Sequence, residues 1–170
     1  TLVVVDEPGR LKQLDLTRND RQYLTEQLKS DPALAVCDIS GRLVMVHQVN
    51  GSGPDQQVER ARRAGDAMVA RLLAAKRREA QVTSLCDNAD ITLALVEGAA
   101  LGCYSFRKYK SDDKGAPSLQ KLSVLAPEVS ADRLDELADL CDATWTARDL
   151  VNEPVSFLNA VQLGAELRTL

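Results

Sequence analysis

Gln81-Val82-Thr83-Ser84-Leu85-Cys86-Asp87-Asn88-Ala89-Asp90-Ile91-Thr92-Leu93-Ala94-Leu95-Val96-Glu97-Gly98-Ala99-Ala100-Leu101-Gly102 changes its apolar period part-way. Gln81 to Leu85 is a strand-length run. Asp87 or Asn88 then offers a short side-chain oxygen to the orphan N–H groups of a helix start. Ile91, Leu95, Val96 and Ala99 follow at helical steps, which predicts a helix to about Gly102. Gly98 and Gly102 are four apart and share a face, where a soluble helix packs closely on a neighbour.

The pattern extends in both directions. Upstream, Asn50-Gly51-Ser52-Gly53-Pro54 breaks the chain. A helix follows over roughly Asp55 to Glu79, the longest expected, with Ala61, Ala64, Met68, Leu72 and Ala75 on one face. Arg60, Arg63, Arg71 and Arg78 fall on the other. Before the break, Leu34–Ile39 and Leu43–Val49 flank Ser40-Gly41-Arg42 as a hairpin. Asn19–Ser30 has a weak helical pattern closed by Asp31-Pro32. Leu2–Val5 reads as a buried first strand ended by Pro8-Gly9, without the basic stretch of a leader.

Downstream, Tyr104–Lys110 reads as strand-like or extended, Ser111–Pro117 as a polar loop, and Leu119–Leu125 as the last strand. Ser130 caps a final long helix striped by Leu134, Leu137, Cys141, Thr144, Arg148 and Val151, and a second short helix starts beyond Pro154. Strands alternating with helices predict an α/β sandwich, a sheet between helices. The hairpin makes that sheet mixed rather than purely parallel.

The 170 residues suit one domain plus a connecting element, and bury enough surface to fold without disulfides or metal. The net charge of -4 gives no general attraction to nucleic acid or an acidic membrane. Cys37, Cys86, Cys103 and Cys141 form no C-x-x-C pair, and a single histidine cannot complete a zinc set, so free thiols of a reducing cytosol are expected. No apolar run reaches the ~18 residues of a membrane span.

Local sites have a functional and a plainer reading. Gly51-Ser52-Gly53 lies where backbone N–H groups can hold a phosphate, but lacks a third glycine or a Gly-Lys-Ser/Thr, and Pro54 already explains a helix start. The arginine face is interleaved with Glu59, Asp66 and Glu79, as in a solvated surface. Tyr104-Ser105-Phe106-Arg107-Lys108-Tyr109-Lys110 has the rings and cations that stack on bases; the plainer reading turns the rings to the core. His47, in an apolar strand with no declared partner, reads as a satisfied core or edge histidine. Asp112-Asp113 and Asp132-Asp135 read as solvation and capping.

Ala147-Arg148-Asp149-Leu150-Val151-Asn152-Glu153-Pro154 asks for more than a helix stop. Together with Val96–Lys110 and the alanine- and arginine-rich helix before it, it resembles the cytosol leucyl aminopeptidase family, two-metal exopeptidases, over roughly Asp55 to Ala160. The usual Pro, Asn and Thr-Pro after the first proline are replaced here by Val155, Ser156, Asn159 and Ala160.

The resemblance implies a macro-domain-like amino-terminal α/β domain over 1–128, a linking helix over 129–153, and the start of a catalytic domain over 154–170. Zinc or manganese, two ions of it, would belong to that catalytic domain. No catalytic, cofactor or metal residue is expected within 1–170. The implied partners are its own catalytic domain, peptide substrates and a homo-hexamer in the cytoplasm, with no membrane and no nucleic acid. The expected role is assembly and positioning; a nucleotide or nucleic-acid binding module of macro-like fold is the alternative.

Overall fold

The computed structural model describes residues 1–111 and 118–168. Five strands form one sheet in the order β2-β3-β1-β4-β5: β1 Leu2–Val5, β2 Ala35–Ile39, β3 Arg42–Gln48, β4 Glu79–Leu85 and β5 Lys121–Leu125. β1 lies parallel to β3 and β4, β4 parallel to β5, and only β2 is antiparallel, on β3. The mixed α/β sandwich expected from the alternation is the fold observed.

β1 is central and all four of its residues are buried, as its unbroken β-branched run requires. Leu2 and Val4, with Met45 and Val82, face α2 (Pro54–Ala74) and α3 (Ala89–Leu101). Val3 and Val5, with Val44 and Val46, face α1 (Arg18–Ser30) and a 3-10 turn over Pro8–Gln13 that the sequence reading did not anticipate. Helix α4 (Ala131–Asn152) adds Leu137 and Cys141 to the α2–α3 side, and α5 (Ala160–Glu166) follows.

Local chemistry sets the boundaries. Thr17 and Asp20 make a reciprocal capping box at the start of α1. Asn88 accepts from the N–H groups of Asp90 and Ile91 at the start of α3. Ser40 and Gly41 turn the hairpin with φ of 52° and 85°, the mirror-image turn that matches strand twist.

Four expectations need correction. Helix α2 stops at Ala74, five residues before Glu79, and at 21 residues is shorter than the 22 of α4. Lys76 takes φ 52°, and the N–H groups of Lys76 and Arg77 return to the carbonyls of Leu73 and Leu72. This paired closure ends the helix whatever the propensity of the residues beyond; Ala75 is left exposed. Ser130 occupies the first cap of α4 without a side-chain bond. Val151 leaves the buried stripe and is 84% exposed. Tyr104–Lys110 is loop rather than strand.

The close helix packing foreseen for Gly98 and Gly102 is observed, with Gly65 as its unforeseen counterpart. A Cβ on Gly98 would stand 1.9 Å from the Arg62 carbonyl oxygen, and one on Gly65 2.1 Å from that of Leu95. Helices α2 and α3 therefore meet backbone to backbone. Among the described residues no helix is long and apolar enough to cross a membrane.

Candidate functional site

The loop after α3 and the end of α4, more than forty residues apart in sequence, are bound together residue by residue. Helix α3 has no basic residue in its last turn. Arg148 of α4 supplies one: its guanidinium donates to the Leu101 carbonyl at 3.1 Å, where the helix dipole is negative. It also lies 5.4 Å from the centre of the Tyr104 ring, a cation–π contact. The Tyr104 hydroxyl donates to Asp149 at 2.8 Å and accepts from Asn152 at 3.1 Å.

The end of α4 is handled reciprocally. It too has no basic residue in its last turn, and Glu153, its extended cap residue, adds negative charge there. Lys108 pairs with one Glu153 carboxylate oxygen and the Tyr109 hydroxyl donates to the other. The Glu153 side chain is left only 5% exposed. Lys108 also stands 4.2 Å from the centre of the Phe157 ring, beyond Pro154. Phe106 and Tyr109 meet as tilted rings 5.9 Å apart.

The ionisations follow this pairing. Burial pushes the Glu153 carboxyl up, but its bonds from Lys108 and Tyr109 outweigh that and the net shift is down. The same carboxylate raises both Lys108 and Tyr109. Burial, then the bond to Asp149, raises Tyr104. Between loop, α4 and α5 lies a cavity of about 310 Å³ whose lining includes Phe106, Asp149, Glu153, Phe157 and Glu166. The arrangement can fix the end of α4 and the direction in which the chain continues past Pro154.

Tyr104–Lys110 thus spends its aromatic and basic groups on α4. Its rings do not enter the main core as expected, and Tyr109 is 55% exposed. The Gly51–Gly53 loop is closed on itself: the Gln56 side chain accepts from the Ser52 N–H at 2.7 Å, and Gln57 donates to the Gly51 carbonyl. Arg62 and Arg63 pair with Glu59, and Arg62 reaches on to Glu97 of α3 at 3.0 Å. Asp112-Asp113 lies outside the described residues. Asp132 and Asp135 are exposed at the start of α4, and Arg133 between them pairs with Asp90 at 2.7 Å. The four cysteines are free thiols.

His47 is fully buried, yet only half satisfied. Its Nδ1 donates to the Ala33 carbonyl at 2.9 Å, while Nε2 has no partner. At the carboxyl edge of the sheet the reading missed a pairing altogether: Arg10, from the 3-10 turn, grips both oxygens of Asp87 at 2.9 and 2.6 Å. No group of three or more His, Cys, Asp or Glu is placed to hold a metal ion among the described residues.

Residues 50–113 match the model of the cytosol aminopeptidase family, N-terminal domain. Over those residues the chain is similar to the amino-terminal domain of the cytosol aminopeptidases. A probable cytosol aminopeptidase of Clostridium perfringens is 38% identical over 86 residues, covering 45% of this chain and 17% of that protein. One from Cereibacter sphaeroides is 32% identical over 110 residues, covering 65% and 22%. The chain thus matches about a fifth of the length of these cytosol aminopeptidases.

The fold agrees. The bottromycin maturation enzyme BotP superposes on 99% of this chain with a TM-score of 0.68 at 21% identity, the match spanning 36% of BotP. A mutant of tomato leucine aminopeptidase gives 0.65 at 14% identity, spanning 38% of that chain. BotP has also been determined in complex with Mn. The family match includes α2 and the Val96–Lys110 stretch. The Arg148–Pro154 string lies beyond it.

Proposed function

We propose that this chain is the non-catalytic amino-terminal domain of a metallo-aminopeptidase. The domain occupies 1–128, a linking helix 129–153, and the start of the catalytic domain 154–170. The observation that carries the reading is the Glu153 clamp. It fastens the end of the linking helix to the loop after α3, in a chain that otherwise matches an aminopeptidase amino-terminal domain. The parent would release amino-terminal residues from peptides, using two divalent ions, zinc or manganese, held in its other domain. The relatives' names support a cytosolic setting.

The domain's work on this reading is positional: it sets the direction of the connecting helix and contributes to assembly, with a homo-hexamer as the expected parent. The competing nucleotide-binding reading has little support, because Gln56 already occupies the Ser52 N–H that a phosphate would need. The decisive assay is hydrolysis of leucine anilides with manganese or zinc supplied. The 170-residue chain should give no turnover, and a chain extended through the rest of the protein should. Turnover by the 170 residues alone would refute the proposal.

A further inference from the structure

Two arginines meet at the amino edge of the sheet, and neither holds a carboxylate. Arg42 opens β3 just after the hairpin turn, and Arg77 follows the closure of α2. Together with Leu43 and Leu72 they line one cleft of about 270 Å³. Each guanidinium is anchored by a backbone carbonyl: Arg42 donates to that of Asp15 at 2.8 Å, and Arg77 to that of Gly41 at 2.6 Å. Among the described residues neither has an acidic partner, whereas Arg10, Arg62, Arg63 and Arg133 each pair with a carboxylate. Glu79 lines the same cleft but forms no ion pair with either; it stands opposite Lys121 in the β4–β5 register. Burial, then Arg42 and Arg77, lowers the Thr1 amine, so both cations act on one spot. A guanidinium carries five N–H donors, of which each arginine has spent one on its carbonyl.

We infer that this cleft binds a phosphate group as its dianion, with different oxygens taken by Arg42 and Arg77. A carboxylate offers two oxygens, which one guanidinium fork takes up. A phosphate offers three or more, enough for two forks, and its second charge answers the second cation. The backbone anchors hold both forks in place before the ligand arrives, so less side-chain freedom is lost on binding. The inference uses only the hairpin and the turn between α2 and β4, and stands apart from the aminopeptidase reading.

Calorimetric titration of the 170-residue chain with inorganic phosphate, at mildly alkaline pH and fixed ionic strength, should give saturable binding with a Kd of ~1 mM. Arg42→Gln and Arg77→Gln should each weaken it about tenfold, the loss of a charge-assisted hydrogen bond. Arg77→Lys keeps the charge without the fork and should weaken it about threefold. Glu79→Gln removes the opposing charge and should tighten it about threefold. Arg71→Gln, a cation of α2 outside the cleft, should change nothing. All four positions are exposed, so far-UV circular dichroism should stay native throughout. Tighter binding of O-phosphoserine than of the free ion assigns the site to phosphate esters, and equal binding assigns it to the ion; either result upholds the inference. No binding up to ~20 mM phosphate overturns it. So does acetate binding as tightly as phosphate. A loss in Arg71→Gln equal to that in Arg42→Gln would show diffuse attraction in place of a site, and would overturn it too.

Discussion

Replacing Gly98 by alanine tests whether the α2–α3 contact holds the domain together. Alanine should favour α3 by ~1 kcal/mol on helix propensity alone. Its Cβ, however, would stand 1.9 Å from the Arg62 carbonyl oxygen, with the Arg62 carbonyl carbon at 2.7 Å. Neither atom can swing aside, because both belong to the backbone of α2. Carbon contacts settle near ~3.5 Å, so the two helices must part by about 1.5 Å along their closest line. That gap loosens Ala61, Met68, Leu95 and Ala99, which are fully buried in the shared core. Overpacking against rigid neighbours costs ~3 kcal/mol or more. The net loss is then roughly 2–3 kcal/mol, and at ~2–4 °C per kcal/mol for this size the melting temperature should fall by roughly 4–12 °C. Thermal unfolding followed by far-UV circular dichroism measures it. Gly164→Ala is the control: it lies in α5 with nothing within 4 Å of its added carbon, so only the propensity gain applies and the midpoint should hold or rise slightly. If Gly98→Ala melts at or above the parent temperature, the backbone-to-backbone contact is wrong.

Three further outcomes follow from the structure. Glu153→Gln should release the end of α4, so that hydrogen exchange at residues 150–153 quickens while the melting midpoint barely moves; unchanged exchange would show that the Lys108 and Tyr109 bonds do not hold it. Burial pushes the His47 imidazole down, the Ala33 carbonyl opposing it in part, so the folded state stays neutral where the unfolded chain binds a proton. Stability is then full above the unfolded value of ~6.5 and falls as pH drops from there through the lowered folded value; His47→Leu should flatten that slope in urea titrations at stepped pH, and His47 is the only histidine to consider. Lys76→Gly should stabilise by about 1 kcal/mol and raise the midpoint by ~2–4 °C, because Lys76 holds φ 52° at a left-handed helix end that glycine adopts without penalty.

The fold was legible where one local signal decided it. The buried run of β1, the cap at Asp87 or Asn88 and the turn at Ser40-Gly41 each fixed an element, and the change of period along 81–102 gave the sheet-and-helix alternation. Errors arose where geometry overrode composition. Nothing in Ala75-Lys76-Arg77-Arg78 stops a helix by propensity; a pair of backbone bonds to Leu72 and Leu73 does. Gly65 was invisible because a lone glycine inside a helical pattern has no partner in the sequence. Its meaning appears only once Leu95 of another helix is set against it.

 The candidate site was half legible for a related reason. Both of its stretches stood out separately, Tyr104–Lys110 as rings among cations and Arg148–Pro154 as a string beyond the needs of a helix stop. Nothing in the sequence pairs stretches more than forty residues apart, so the plainer expectation sends the rings to the core.

The pairing itself follows from the two helix ends. Helices α3 and α4 each finish without a basic residue in the last turn, an electrostatically poor ending when taken alone. Arg148 corrects the first from α4, and Lys108 corrects the second from the loop that follows α3. Each helix therefore carries, or leads into, the cation that the other lacks. A clamp of this kind works only when both ends are in place, which makes the direction of the chain past Pro154 a property of the whole α3–loop–α4 unit. Exchanging the two cations for neutral residues together, Arg148→Gln with Lys108→Gln, should therefore loosen 148–153 no more than the more damaging single change does. Strictly additive increases in hydrogen exchange would show two independent contacts and no shared clamp.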